Sequence, residues 1–559
     1  MKIISNIVAP FLLTLICISS FAQIPLDVKT IDLSANGKSK NARFVTASYN
    51  KETKEATLTF VKTYCDGQVG GGYFTAKDVV YDFEHLLFGN DLGFKTLTEE
   101  KLVGLQNTIL KYPVLGKNFE LKNTIGYVQG ANREGTSLTQ FEYAVKTYAG
   151  VNNIGYGCTQ KVEAKKNNVL IPFKGEGFLG YELVTDGVIT LTYTGMPAVA
   201  NIRLYGNDGT QKMEKKFPLA DYGFATKILP LKTAAGHNDL VMIIQPTKKY
   251  NKYGIKVETI KESPLEFEYI RVDGITLEVK ERFSFNAVNT QWYPEHIFEK
   301  DGSVYVMGQS AAKVEMMDYY FGGMMTIEGG NFQNYLRIDE LENFQILKAT
   351  NGKLNYVNAF TPSDLEKIQT PIPGTKGSNN PTGYFRKQEI KIINNSIYIT
   401  GQFTKPGKSG DDRKAEFMLV LNNAGKPTNL FYIPKKNYAN AEMFVSADQK
   451  SLLWAVYDYS EYDITATRLE PTQIKIGFVM GGSDHTFMGK RKNDDGPELQ
   501  LVKIDLTNNT PSQLQVCGKD EYTLFDDTPV LYANENEVAF FGVAGKNKER
   551  VAKVIKVKL

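Results

Sequence analysis

Over most of the chain, apolar and polar positions alternate with a period of two, in short runs closed by Asn, Asp and Gly. That is the pattern of antiparallel strands and not of helices. From about residue 160 the runs fall into two kinds. The first is apolar almost without interruption: Asn168–Phe173, Asp239–Ile244, Ser303–Gly308, Ser396–Gly401, Ser451–Val456 and Glu537–Gly542. Strands of that composition are expected to be buried on both faces. The second kind alternates, as in Tyr269–Asp273, Tyr335–Asp339, Met418–Asn422 and Leu501–Asp505, with one apolar and one polar face. A further strand follows a tight turn, as Leu430–Ile433 follows Asn423–Gly425.

A unit of central strand, loop, alternating strand, tight turn and outer strand, repeated from 168 to 537, predicts an all-β chain folded as a β-propeller. Such sheets bury their faces by stacking around an axis. Glu55–Phe60 adds a central strand and brings the expectation to about seven irregular four-stranded blades; six or eight are compatible, since residues 55–168 have room for another. Val28–Asp32 and Val551–Leu559 read as strands at opposite ends of the chain, and pairing them would close the ring and remove two loose edges. The alternative is tandem β-sandwich domains built from the same strands, against which stands the lack of a Pro/Ser-rich linker. Helical signals are confined to the N-terminal quarter. Thr75 with Asp78, the apolar set Val79, Val80, Phe83, Leu86 and Leu87, and the stop at Gly89 suggest one helix; Thr98–Tyr112 before Pro113 suggests a second. A small helical insertion is therefore expected over about 75–112.

The N-terminus changes the picture. Lys2, the apolar run Ile7–Ile18 and Ser19-Ser20-Phe21-Ala22 form a leader (residues 1–22) with cleavage expected between Ala22 and Gln23, followed by the propeller over 23–559. The run is too short to span a bilayer, which needs roughly 20 residues, so the mature protein is expected in the periplasm or outside the cell. Ile16 before Cys17 does not suit lipidation. Of the remaining cysteines, Cys65, Cys158 and Cys517, at most two can pair, and buried thiols are the simpler reading.

With 65 Lys and Arg against 62 Asp and Glu in 559 residues, the net charge is +3 and no basic stripe stands out. This excludes a dedicated nucleic-acid binder. His85, His237, His296 and His485 are scattered and form no standard zinc spacing.

The long loops after central strands, Gln309–Asn334, Phe403–Glu416 and Tyr457–Leu499, should emerge at one end and build a functional face. The first carries Met316, Met317, Tyr319, Tyr320, Phe321, Met324 and Met325, soft and aromatic groups suited to a protein contact or to capping the channel. Asp411-Asp412, and Asp494, Asp495 and Glu498, offer oxygen atoms that calcium could use, without the spacing of a dedicated loop. Otherwise no cofactor is expected. Asp484-His485 lacks a nucleophile elbow, and Gly67–Gly72 lacks the Lys-Ser/Thr of a phosphate loop. Trp292-Tyr293-Pro294-Glu295-His296 could stack on a sugar ring, although blades also bury such aromatics between sheets.

These features predict a non-catalytic protein that docks one propeller face onto an envelope protein. The alternative is a secreted glycoside hydrolase or lyase, which needs acids around an open channel. The Ser-Ser-Phe-Ala-Gln leader joined to an Asn-, Lys- and Tyr-rich irregular propeller resembles periplasmic and secreted propellers of Gram-negative bacteria with a type IX secretion system. That resemblance implies a plug-like role at an outer-membrane translocon barrel. No separate C-terminal sorting domain follows Arg550, which favours periplasmic residence.

Overall fold

A computed structural model describes residues 24–32, 43–50, 52–70, 73–89, 93–104, 119–132, 135–148, 165–174, 176–184, 187–194, 199–218, 223–233, 236–250, 257–259, 265–289, 291–311, 320–321, 334–335, 343–375, 384–407, 410–434, 439–458, 470–471, 484–490, 498–517, 523–524, 530–544 and 551–559. Its main sheets are antiparallel meanders that follow one another along the chain. Blade 1 comprises Arg43–Asn50, Glu55–Gly70, Tyr73–Phe88 and Phe94–Gly104. Blade 2 has three described strands, Phe119–Asn132, Gly135–Tyr148 and Lys165–Lys174. Blade 3 comprises Gly177–Val184, Gly187–Thr194, Val199–Gly206 and Gln211–Pro218. Blade 4 comprises Gly223–Lys232, Asn238–Tyr250, Leu265–Val272 and Val279–Ala287. Blade 5 comprises Gln291–Lys300, Ser303–Ala311, Asn343–Thr350 and Lys353–Phe360.

Blade 6 comprises Tyr384–Ile393, Ser396–Gly407, Gly410–Leu421 and Pro427–Pro434. Blade 7 comprises Ala439–Val445, Ser451–Asp458, Glu498–Asp505 and the short pieces Thr510–Pro511 and Gln515–Cys517. In blade 8, Val530–Ala533, Glu537–Ala544 and Val551–Lys558 are completed by the N-terminal Leu26–Asp32. The register runs from Leu26 opposite Val557 to Asp32 opposite Val551.

The uninterrupted apolar runs are second strands, sandwiched between two neighbouring blades. In blade 4, Leu240, Met242 and Ile244 enter the core shared with blade 3, while Val241 and Ile243 enter the core shared with blade 5. In blade 7, Leu452, Trp454 and Val456 face blade 6, and Leu453, Ala455 and Tyr457 face blade 8. Each such side chain leaves water on whichever face it points to, so no polar alternation is needed.

Separate apolar cores join blades 2 to 3, 3 to 4, 4 to 5, 5 to 6, 6 to 7, 7 to 8 and 8 to 1. A straight row in that order would put blades 1 and 2 at opposite ends, about 70 Å apart at ~10 Å per sheet. The chain from Gly104 to Phe119 reaches at most about 50 Å even when fully extended. The row therefore curls into a ring, a β-propeller with eight blades among the described residues. Independent sandwich cores are not what the described residues form.

The hairpins that join first to second and third to fourth strands all lie at one end, called here the hairpin end. Left-handed backbone at Asp301 and Gly302, at Asn394 and Asn395, and at Asn351 and Gly352 makes two-residue turns there, the twist that matches paired strands.

Two expectations need correction. The proposed helical insertion is strand: Tyr73–Phe88 pairs along its length with Glu55–Gly70, and Phe94–Gly104 pairs with it in turn. Residues 105–112 lie outside the described residues. The one helix described is Pro362–Glu366, with a reciprocal cap between Thr361 and Asp364. In addition, Asn168–Phe173 is part of a third strand, and the central strand of blade 3 is Gly187–Thr194. The expected leader lies outside the described residues. Among those described, no helix is long and apolar enough to cross a membrane.

Candidate active site in the axial cavity

First strands of neighbouring blades touch one another, blade 3 to 4, 4 to 5, 6 to 7 and 8 to 1, so they line the axis. Six of the eight carry a break in register against their second strand: blades 1, 3, 4, 5, 6 and 8. Those of blades 2 and 7 pair in unbroken register. A bulge inserts residues on one strand, bends it and re-aims its side chains.

In blade 5 the inserted residue is Glu295, since Pro294 pairs with Gly308 and His296 with Met307. Pro294 is tolerated because a first strand is a sheet edge with no further partner. Gly308 is required by the close approach: a Cβ there would lie 1.9 Å from the Tyr293 carbonyl oxygen. The bulge brings two successive side chains together, with Glu295 Oε2 3.9 Å from His296 Nε2. Burial, and then the charge of Glu295, pushes the neighbouring Tyr293 hydroxyl above its ordinary range.

Glu295 and His296 line a cavity of about 710 Å³ formed by the first strands of blades 3 to 6, toward the hairpin end. One part of its wall is apolar, from Ile228, Pro230, Ile297, Phe298, Ile390 and Ile392; Glu182, Glu295, His296, Glu299 and Lys300 supply the polar groups. A concave site that pairs an apolar wall with several converging polar groups has the size and character of a small-molecule site. Two of the polar groups are tied in place. The Glu299 carboxylate accepts from Arg271 at 3.2 Å, and the Lys300 ammonium donates to the Ile392 carbonyl at 3.1 Å.

Farther round the axis, Glu389 of blade 6 accepts from the Met443 N–H at 2.7 Å and pairs with Lys391 at 3.2 Å. Burial, and next the charge of Glu389, raises the Glu442 carboxyl above its usual range, against the pull of Tyr457 and Lys391.

A second polar cluster sits at the hairpin end of blade 4. Asp239, fully buried, pairs with Arg271 at 2.7 Å and Lys280 at 3.0 Å, and Lys280 also reaches Asp273 at 2.7 Å. Burial raises the Asp273 carboxyl, but Lys280 and the N–H groups of Thr276 and Ile275 outweigh it and hold the group well below the carboxylate range. His237 joins the two aspartates in a set whose ligand atoms lie within 4.8 Å of one another.

Of the site residues read from the sequence, Met316, Met317, Tyr319, Met324, Met325, Asp494 and Asp495 lie outside the described residues. Tyr320-Phe321 forms a two-residue strand paired with Asn334-Tyr335. Glu498 opens the third strand of blade 7, opposite Asp458. Asp484-His485 pairs with Gly67 and Gln68 of blade 1, so part of the loop expected over Tyr457–Leu499 extends that sheet. Asp411 and Asp412 belong to a hairpin extending blade 6, and Gly67–Gly70 to the hairpin of blade 1. Trp292 is buried between blades 4 and 5, edge-on to Phe285. Its neighbours Glu295 and His296 face the cavity, which the aromatic reading of that segment missed. A Pro-Glu-His sequence interrupting the two-residue period was the available signal.

No family model and no curated protein matches the chain. Solved structures that resemble it include a cobalt-substituted apocarotenoid oxygenase of Synechocystis, at 9% identity and a TM-score of 0.29, covering 89% of this chain and 97% of that one. A chimera of that oxygenase with RPE65 matches at 9% identity and a TM-score of 0.27, covering 88% and 93%. The likeness is one of general strand arrangement, and no residue role is carried over from it.

The reading of the chain as a non-catalytic docking protein is withdrawn. It rested on the long loops, the Met-rich segment and the lack of a recognisable catalytic pair, whereas the axis holds an acid-lined cavity with Glu295 beside His296. The expectation of no cofactor beyond a calcium ion near Asp494, Asp495 and Glu498 is corrected as well, because His237, Asp239 and Asp273 form a group able to hold a metal ion.

Proposed function

We propose that the protein is an exported propeller enzyme that hydrolyses a small, largely apolar ester in the axial cavity. The observation that carries this reading is the bulge in blade 5, which sets Glu295 against His296 inside a cavity of about 710 Å³. His296 acts as the general base that takes a proton from water as its oxygen adds to the ester carbonyl, and returns that proton to the alkoxide that leaves when the ester C–O bond breaks; Glu295 stabilises the charged ring in between. A positioned base of this kind contributes about 10²–10⁴-fold to a rate. The isoleucines of the wall hold the apolar part of the substrate and exclude bulk water from it.

Two measurements test the proposal. Nile red, a neutral apolar dye, should bind the mature chain at one site, and Ile390→Trp, which fills the cavity, should abolish binding. Medium-chain p-nitrophenyl esters should be hydrolysed, at a rate that falls at least 100-fold in His296→Ala. Absence of dye binding sinks the cavity as a site; equal rates in wild type and His296→Ala sink the chemistry.

A further inference from the structure

We propose that His237, Asp239 and Asp273 form a divalent transition-metal site of the zinc class, in which the Lys280 ammonium is a displaceable stand-in for the ion. The site lies beside the axial cavity, joined to it through Arg271 and Glu299, and does not depend on the ester-hydrolysis reading. Two hairpins of blade 4 build it. One is closed by Thr233 N–H to His237 O at 2.8 Å and Gly236 N–H to Thr233 O at 3.0 Å; the other by Asp273 N–H to Glu278 O at 2.8 Å and Leu277 N–H to Asp273 O at 2.9 Å. They meet backbone to backbone: a Cβ on Gly274 would lie 1.7 Å from the Asn238 carbonyl oxygen. Residues 237, 239 and 273 are thereby fixed on either side of that contact.

The donor atoms are already sorted into those that are occupied and those that converge. Asp273 Oδ1 accepts from the N–H groups of Ile275 and Thr276, each at 2.8 Å, which leaves Oδ2 turned to Lys280. Asp239 Oδ2 is held by Arg271 at 2.7 Å and also accepts from Lys280 at 3.2 Å, while Oδ1 faces Lys280 at 3.0 Å and His237 Nε2 at 3.5 Å. His237 Nε2 is buried and makes no hydrogen bond. One imidazole nitrogen and two carboxylate oxygens thus lie within 4.8 Å of one another, and the Lys280 ammonium bridges the two carboxylates.

That set, completed by water, is a three-ligand zinc shell, and partners holding the outer carboxylate oxygens are the support such shells use. Charge favours the exchange. Asp239, Asp273, Glu281 and Glu299 face the cations Arg271 and Lys280, leaving the cluster about two charges negative. Lys280 is more than a third exposed and can swing into water when an ion enters.

The test is equilibrium dialysis of the full mature chain against ZnCl₂, with folding of each variant checked by circular dichroism. Wild type should bind one ion per chain. Lys280→Ala, which removes the competing ammonium, should bind at least tenfold more tightly, and His237→Ala and Asp273→Asn at least tenfold more weakly. His237→Gln serves in place of any variant that does not fold. Cobalt(II) in Lys280→Ala should give the visible absorption of a four-coordinate nitrogen and oxygen site. The proposal is overturned if neither wild type nor Lys280→Ala binds zinc stoichiometrically, if His237→Ala binds as wild type does, or if calcium binds as tightly as zinc.

Discussion

Glu442 and Arg203 show how single charged groups respond to the interior of a stacked sheet. Burial and the nearby Glu389 raise the Glu442 carboxyl, so the folded state holds that proton more tightly than the unfolded chain does. Stability then falls as pH rises from the ordinary carboxylate range through the raised value, and the penalty persists at neutral pH. Glu442→Gln should therefore raise the melting temperature at pH 7.5 and leave it unchanged near pH 3.5, as a calorimetric pH series would show. The opposite sign holds at Glu176. Burial pushes its carboxyl up, but hydrogen bonds from Arg203 and Thr192 prevail and hold it below its usual range. Its contribution is present above about pH 4.5 and is lost as pH falls through the lowered value. Arg203 binds both Glu176 oxygens, at 2.6 and 2.9 Å, and Glu214 at 2.9 Å, with its side chain only 10% exposed. Arg203→Met should cost about 1–3 kcal/mol in urea unfolding, because it leaves two partly buried carboxylates without their charged hydrogen-bond donor, and should flatten the acid limb of the stability curve.

Strands were legible where both faces are apolar and illegible where the axis bends them. The second strands of blades 1 and 4 to 8 announced themselves, since burial against two neighbours leaves no polar position. The first strands did not. Their bulges break the two-residue period, and Gln291–Lys300 carries Pro, Glu and His among its aromatics, so it read as an aromatic cluster. The segment Thr75–Leu87 failed for a different reason. Its apolar set fits a helical spacing as well as a strand, and the pairing that decides lies in Glu55–Gly70; Leu86 and Phe88 go into the core between blades 8 and 1. The bulge in blade 5 has its own test. Gly308→Ala forces a methyl group against the Tyr293 carbonyl, and should cost about 1–3 kcal/mol and abolish Nile red binding. Retention of both stability and binding would show that the bulge does not shape the cavity.

For the whole molecule, the sequence carried the ring closure, because an unpaired strand at each end is visible without knowing the fold. It could not carry the cavity, whose walls come from four first strands that only stacking brings together. Closure by Leu26–Asp32 predicts that a chain starting at residue 33 exposes the edge of Val551–Lys558. That chain should melt at a lower temperature and associate through the bared edge, seen as dimers or larger species in size-exclusion chromatography; a monomer of unchanged melting temperature would mean the seam bears no load. The measurement that bears most directly on the axial site is photolabelling with a diazirine-bearing hydrocarbon ester, with the modified peptides located by mass spectrometry. Label is expected on residues 228–230, 295–300 and 390–392, and should disappear in Ile390→Trp. Label confined to other peptides, or unchanged in that variant, would contradict a site on the propeller axis.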